Sequence, residues 1–246
     1  MWFGPTVIVA VAAVVAGAVA AVSGFGIGSV MTPLLMIWMP TSEAVAVVAI
    51  PHAVATTIRW VRLRKDVHRQ TFREFGLASA IGGLAGAALQ SRLHSGVLTL
   101  VLAALLMAAG VSELLQRRVP FPERPVWRIG GGALSGFFGG LVGNQGGIRA
   151  AALLKFHLRP QQIVATATAS ALLVDAARIP IYLVSAGSII AESAGLWLTI
   201  AAGVTLGTFI GVPILSRLPE RVYRRLVGGL LLALGLSLIA VAAAAR

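Results

Sequence analysis

The sequence predicts an all-α integral membrane protein made of two inverted repeats of about 120 residues, with about 8–10 membrane segments. Three observations carry that expectation: a composition water cannot solvate, apolar runs of bilayer length, and glycine-rich breaks at matching places in the two halves. Of 246 residues, 58% are hydrophobic and only 11% are charged. Eight acids and twenty bases cannot clothe a soluble domain of this size, so lipid is the solvent for most of the chain. A net charge of +12 would suit nucleic acid if the bases formed a stripe on a soluble surface. Here they sit in short connections between apolar segments, and no nucleic-acid partner is expected. The absence of cysteine excludes disulfides, thiolate metal sites and cysteine nucleophiles.

In chain order the apolar segments cover about 6–22, 30–39, 42–63, 75–91 and 96–115. After the polar stretch 116–128 come about 129–142, 150–158, 162–184, 194–215 and 226–245. No Lys or Arg precedes the first, so it lacks the basic region of a secretory signal and reads as retained. At ~1.5 Å per residue the long segments match the ~30 Å hydrocarbon core. The segments 30–39 and 150–158 reach only about halfway across by the same measure. Each follows a glycine-rich break, at 23–29 and at 143–147. Both read as broken or re-entrant half-helices, whose unpaired backbone survives at that depth only inside protein or beside a wet cavity. Trp38, Trp60, Trp127 and Trp197 fall near segment ends, as an interfacial aromatic belt requires. Glu43 and Pro160 mark helix starts. Gly82, Gly83 and Gly86, like Gly203, Gly207 and Gly211, provide small residues for close helix contact.

An offset of 119 aligns Gly24 with Gly143, Gly28 with Gly147, Ala46 with Ala165 and Arg59 with Arg178. The offset then grows to 125, where Ser91-Arg92-Leu93 meets Ser216-Arg217-Leu218. The chain therefore divides into an N-terminal membrane repeat 1–115, a cytoplasmic linker 116–128 and a C-terminal membrane repeat 129–246, forming one integral unit. Placing 59–73, 116–128, 155–159 and 216–225 in the cytoplasm puts sixteen bases inside and leaves Arg92 and Arg246 outside. A parallel repeat would violate the positive-inside rule, so inversion is favoured, with both termini outside.

That count leaves Arg149, Arg178 and Asp175 within the membrane, where charges cost at least ~2.5 kcal/mol each and so point to function. Arg149 follows Gly146-Gly147-Ile148 at the start of the second short helix. Free backbone N–H groups there favour an anion, and a guanidinium adds bidentate recognition of an oxyanion. The alternative is that Arg149 satisfies carbonyls at the break or pairs with Asp175. Along 162–184, Thr168, Asp175 and Tyr182 recur every seven residues with Arg178 one turn after Asp175, matched by His52, Thr56 and Arg59 in the first half. The plainer reading of Asp175 and Arg178 is a self-neutralising pair that pins two helices. His52, after Pro51, is expected to fill a helix kink rather than bind metal, and no metal site is expected. Glu113 is read as interfacial, and Thr166 and Ser170 as bonded to their own helix.

The break Gly24-Phe-Gly-Ile-Gly28 leading to Thr32-Pro33-Leu34-Leu35 resembles the sulfite exporter TauE/SafE family. So do Gly143-Asn-Gln-Gly-Gly-Ile-Arg149, Ala165-Thr-Ala-Thr168 and Val174-Asp-Ala-Ala-Arg178. The second half departs from the family pattern at Asn144-Gln145, at Arg149, and at Ala152 where the first half has Pro33. The resemblance implies an inner-membrane permease for sulfur-containing or other small organic anions such as sulfite, sulfoacetate or thiosulfate. The expected anion site is Asn144, Gln145, Gly146, Gly147 and Arg149, faced by Gly26, Gly28 and Ser29, with Thr168 and Arg178 nearby. Asp175 is the proton-coupling candidate. Partners are a small anionic solute, the lipid bilayer and a second copy in a homodimer, without a cofactor. The competing readings are an anion channel and a membrane scaffold with no solute path. An enzyme is disfavoured, because the chain has no HExxH, no pair of membrane aspartates and no cysteine.

Overall fold

The computed structural model describes residues 3–23, 26–116, 125–215 and 217–244, and every regular element among them is helical. In the first half these are α1 (Phe3–Ser23), the short α2 (Ile27–Leu35), α3 (Thr41–Leu63), α4 (residues 69–90) and α5 (Ser95–Leu114). In the second they are α6 (Pro125–Val142), the short α7 (Gly146–Leu153), α8 (Pro160–Glu192), α9 (Ala194–Leu215) and α10 (Glu220–Ala244). Four stretches, 41–66, 95–114, 160–192 and 220–243, are long and apolar enough to cross a bilayer. Shorter apolar stretches lie at 6–21 and 194–210.

The short helices begin three and four residues earlier than their apolar runs suggested, at Ile27 and Gly146. In each case the glycine break itself supplies the first turn, so polarity alone placed the start too late. Gly26 (φ +139°) and Gly143 (φ +72°) hold the turns just before α2 and α7, in backbone regions that residues with a Cβ rarely enter. Gly24 and Phe25 lie outside the described residues. α4 contains a π-helical turn at Phe72–Gly76. α8 runs on past the expected end and bends at Ala186 (φ −142°, ψ 24°).

Glycine decides which helices touch. On α6, Gly132, Gly136 and Gly140 abut the carbonyls of Phe75, Ser79 and Gly83 on α4, so the two helices run side by side in the same direction. α1 and α9 make the matching parallel contact, with Gly203 against Ala13, Gly207 against Val14, and Thr208 bonded to the Gly17 carbonyl at 3.4 Å. The surroundings of Gly211 lie outside the described residues. α5 and α10 are antiparallel, Gly110 meeting Gly228 and Gly235 meeting Ala103. α3 and α8 also cross in opposite directions, joined near His52–Asp175 and again where the His68 N–H donates to Thr166. In membranes such interfaces depend on close backbone approach, since lipid supplies no hydrophobic drive between helices. A Cβ on Gly136 would sit 1.8 Å from the Ser79 carbonyl oxygen. Gly136→Ala is therefore expected to destabilise the protein by ~1–3 kcal/mol, seen as a lower unfolding temperature in detergent.

The base-rich connections gather at one end of the bundle. Arg128 bonds Glu74 at 3.0 Å and lies over the Phe156 ring, Arg224 bonds Glu113 at 2.9 Å, and Arg62 lies over Phe209 at 4.2 Å. Glu113 is thus fixed at a helix end by an ion pair. The outward faces carry exposed Val7, Val11, Ile81, Leu84, Leu198 and Leu236, the surface a lipid-facing helix presents.

Candidate functional site: a cationic cavity where the two helix breaks meet

The breaks touch at the centre of the bundle. Gly28 lies so close to Gly143 that a Cβ there would be 2.1 Å from the Gly143 carbonyl oxygen, and Ser29 Oγ donates to Asn144 Oδ1 at 3.4 Å. Val30 N–H returns to the Gly26 carbonyl at 2.8 Å and Arg149 N–H to the Gln145 carbonyl at 3.1 Å. The N–H groups of residues 27–29 and of 146–148 thus have no acceptor within their own helices. Two positive helix ends, one from each half, face the same space.

That space is a cavity of about 350 Å³, at the small end of ligand sites of ~300–1,000 Å³. Its walls include Gly26, Gly28 and Ser29; Asn144, Gln145, Gly146 and Arg149; and Thr168. Eight of the ten residues expected to contact solute therefore line one chamber. Gly147 is one position behind the wall, and Arg178 is turned away from it.

Three polar groups in this chamber have partners missing. Arg149 is 6% exposed and donates through Nη1 to the Ala167 carbonyl at 3.3 Å, but its Nε and Nη2 are buried without a partner. Gln145 is 3% exposed and neither atom of its side-chain amide is bonded, although its backbone carbonyl accepts from Ser135 at 3.2 Å. Arg59 also lines the chamber, with Nε and Nη2 buried and unpartnered. Buried donors are almost always satisfied, so this cluster marks where an acceptor belongs. Thr168 lines the wall but gives its hydroxyl to its own helix at Val164, as Ser170 does to Thr166.

Arg59 is what the sequence reading placed elsewhere. Counted among the bases of the 59–73 connection, it instead lies within α3, one turn before that helix ends. Its sequence match with Arg178 and its place in the His52–Thr56–Arg59 stripe were the available signals. A second cavity of about 430 Å³ shares Ala21, Arg59 and Val164 with the first and continues to Arg62 and Leu63 at the base-rich end. The chamber thus lies between the centre of the bundle and that end.

Asp175 and Arg178 form a separate buried layer on α8, 0% and 1% exposed. Arg178 Nε and Nη2 donate to Asp175 Oδ1 at 3.0 and 2.8 Å, and Nη1 donates to the Gly139 carbonyl at 2.6 Å. Tyr182 donates to the Gly140 carbonyl. α6 stops at Val142 inside the bundle, so its last carbonyls need partners, and the guanidinium also favours the negative helix end. Arg178 therefore secures the broken end of α6. His52, next to Pro51, has a partner that the sequence did not show: its Nδ1 lies 2.7 Å from Asp175 Oδ2, tying α3 to α8. Among the described residues no cluster of acids and histidines could hold a metal ion.

A multi-helix bundle with a lipid-facing surface and a central cationic chamber is the architecture of a membrane transporter. Residues 9–238, nearly the whole chain, match the family described as Sulfite exporter TauE/SafE, and the chain belongs to that family. No curated protein and no solved structure matches it.

Proposed function

We propose that the protein is an inner-membrane permease that exports a small sulfur-containing or organic anion by alternating access. The observation that supports this best is the pair of guanidiniums with unpartnered Nε and Nη2, Arg59 and Arg149, beside the free Gln145 amide in a chamber faced by two helix N-termini. An oxyanion supplies the acceptors all three lack, and charge-assisted bonds to guanidinium are the strong kind. Gly26, Gly28, Ser29, Asn144, Gly146 and Gly147 shape the chamber, while Arg178 positions the break.

In this reading the base-rich end faces the cytoplasm, both termini lie outside, and the halves are inverted repeats. The swapped pairing of α1 with α9 and of α6 with α4 supports a two-fold relation between the halves. The chamber, continuous with Arg62 and Leu63, then corresponds to an inward-open state. With the cytoplasm negative, each outgoing negative charge gains ~2.3 kcal/mol per 100 mV, so export needs no coupling ion.

The test is flux in proteoliposomes against sulfite, thiosulfate, sulfonates and carboxylates. Saturable flux of one class supports the proposal. Electrical currents far above transporter turnover would make the protein a channel, and no flux for any anion would leave a scaffold. Arg59→Gln is expected to raise KM about tenfold or more, the loss of one charge-assisted hydrogen bond of ~1.5–3 kcal/mol, with little change in unfolding temperature.

A further inference from the structure

Among the described residues of the chamber wall, His52 is the one titratable side chain that is not an arginine. The ring lines the cavity and its side chain is 14% exposed, whereas Asp175 behind it is 0% exposed. Asp175 Oδ1 takes two donors from Arg178 and Oδ2 faces His52 Nδ1 at 2.7 Å. A carboxylate so surrounded only accepts, so Nδ1 must carry the hydrogen. Nε2 is then the ring nitrogen that keeps a lone pair and can accept a proton.

The charges around the ring decide what a proton placed there would meet. On α8 stand Asp175 and Arg178, a balanced pair. On α3 stands Arg59, and on α7 Arg149, both with buried nitrogens that have no partner. α2 and α9 bring no titratable side chain. Arg128 of α6 and Glu113 of α5 are paired at the base-rich end. An imidazolium in the empty chamber would join two uncompensated cations. With an anion bound, that opposition is cancelled, and Asp175 stabilises the charge from behind.

We infer that His52 is a proton-binding site coupled to the anion site, so that each anion crosses with a proton taken up at Nε2. Binding linkage is reciprocal: the anion raises the ring's hold on a proton and the proton raises the site's hold on the anion by the same factor. Asp175 does not itself carry the proton; it fixes the tautomer and orients the ring. The inference rests on the transporter reading above and gives it a coupling ion. For a singly charged anion the coupled step carries no net charge, so the proton gradient alone sets its direction; a doubly charged anion still answers to membrane potential as well.

The test uses the full chain in proteoliposomes with labelled thiosulfate and, separately, labelled methanesulfonate, anions whose own charge stays constant across the neutral range. With the membrane potential clamped, a gradient of one pH unit is expected to raise the wild-type accumulation ratio about tenfold for one-to-one coupling. His52→Gln is expected to lose the response to the gradient in whatever flux remains. Wild-type flux that ignores the gradient overturns the coupling, as does a His52→Gln variant that still follows it. No wild-type flux of either anion strikes at the transporter reading itself. The wild-type measurement decides the matter even if the variant fails to fold.

Discussion

Arg149→Ala is expected to abolish anion flux, by at least about 100-fold in kcat/KM, while leaving the protein as stable as before or more so. The two parts of this expectation have one cause. Arg149 is almost fully buried with a single hydrogen bond at 3.3 Å and two nitrogens unpartnered, so in the empty protein its charge is poorly compensated. Removing a buried charge of that kind relieves a desolvation cost of several kcal/mol rather than breaking a good contact. In the loaded protein the same nitrogens become the donors to the oxyanion, at ~1.5–3 kcal/mol each. Arg149→Lys is expected to restore little, because an ammonium cannot reproduce the guanidinium fork. Flux assays beside detergent unfolding curves check both halves. Wild-type flux in Arg149→Ala would remove this residue from the site, and a large fall in unfolding temperature would make its role structural.

Arg178→Leu is expected to do the reverse, destabilising the protein by ~3–5 kcal/mol. The substitution strands Asp175 at 0% exposure with only His52 as partner and takes from the broken end of α6 the guanidinium at Gly139, whose carbonyl keeps only the Gly143 N–H at 3.1 Å. The expected readout is poor yield and a lowered unfolding temperature. Restoring neutrality with Asp175→Asn in the same chain should recover part of the loss but not the bond from the guanidinium to the Gly139 carbonyl. If Arg178→Leu unfolds at the wild-type temperature, the ion pair and cap contribute little. The contrast between two arginines of nearly equal burial is the sharpest statement about the site. One has its partners in the protein, and the other awaits them from solution.

The membrane character, the two short helices and the glycine breaks were legible because bilayer length and backbone conformation leave strong local marks. Most of the chamber was legible for the same reason, since residues beside a break are the ones it exposes. The roles of the charged residues were less accessible. Asp175, one turn before Arg178, already set that arginine apart from Arg149 in the sequence, but its other partner, the Gly139 carbonyl 39 positions away, left no local mark. Arg59 was hidden by its neighbours: five more bases follow within 62–73, and a positive run reads as a connection although its first member lies inside α3. His52 was misread because its partner lies 123 residues away.

The glycine contacts also bear on what can move. α1 is seated on α9 and α4 on α6, backbone against backbone, so each close pair joins one helix from either half. Such seams slide poorly, and a Cβ-less groove has no side chain to repack. The close-packed pairs of this molecule are therefore mixed in parentage: neither half of the chain forms a seam of this kind by itself. A chain severed in the linker between α5 and α6 would give two fragments that each lack half of every seam, and neither would assemble without the other.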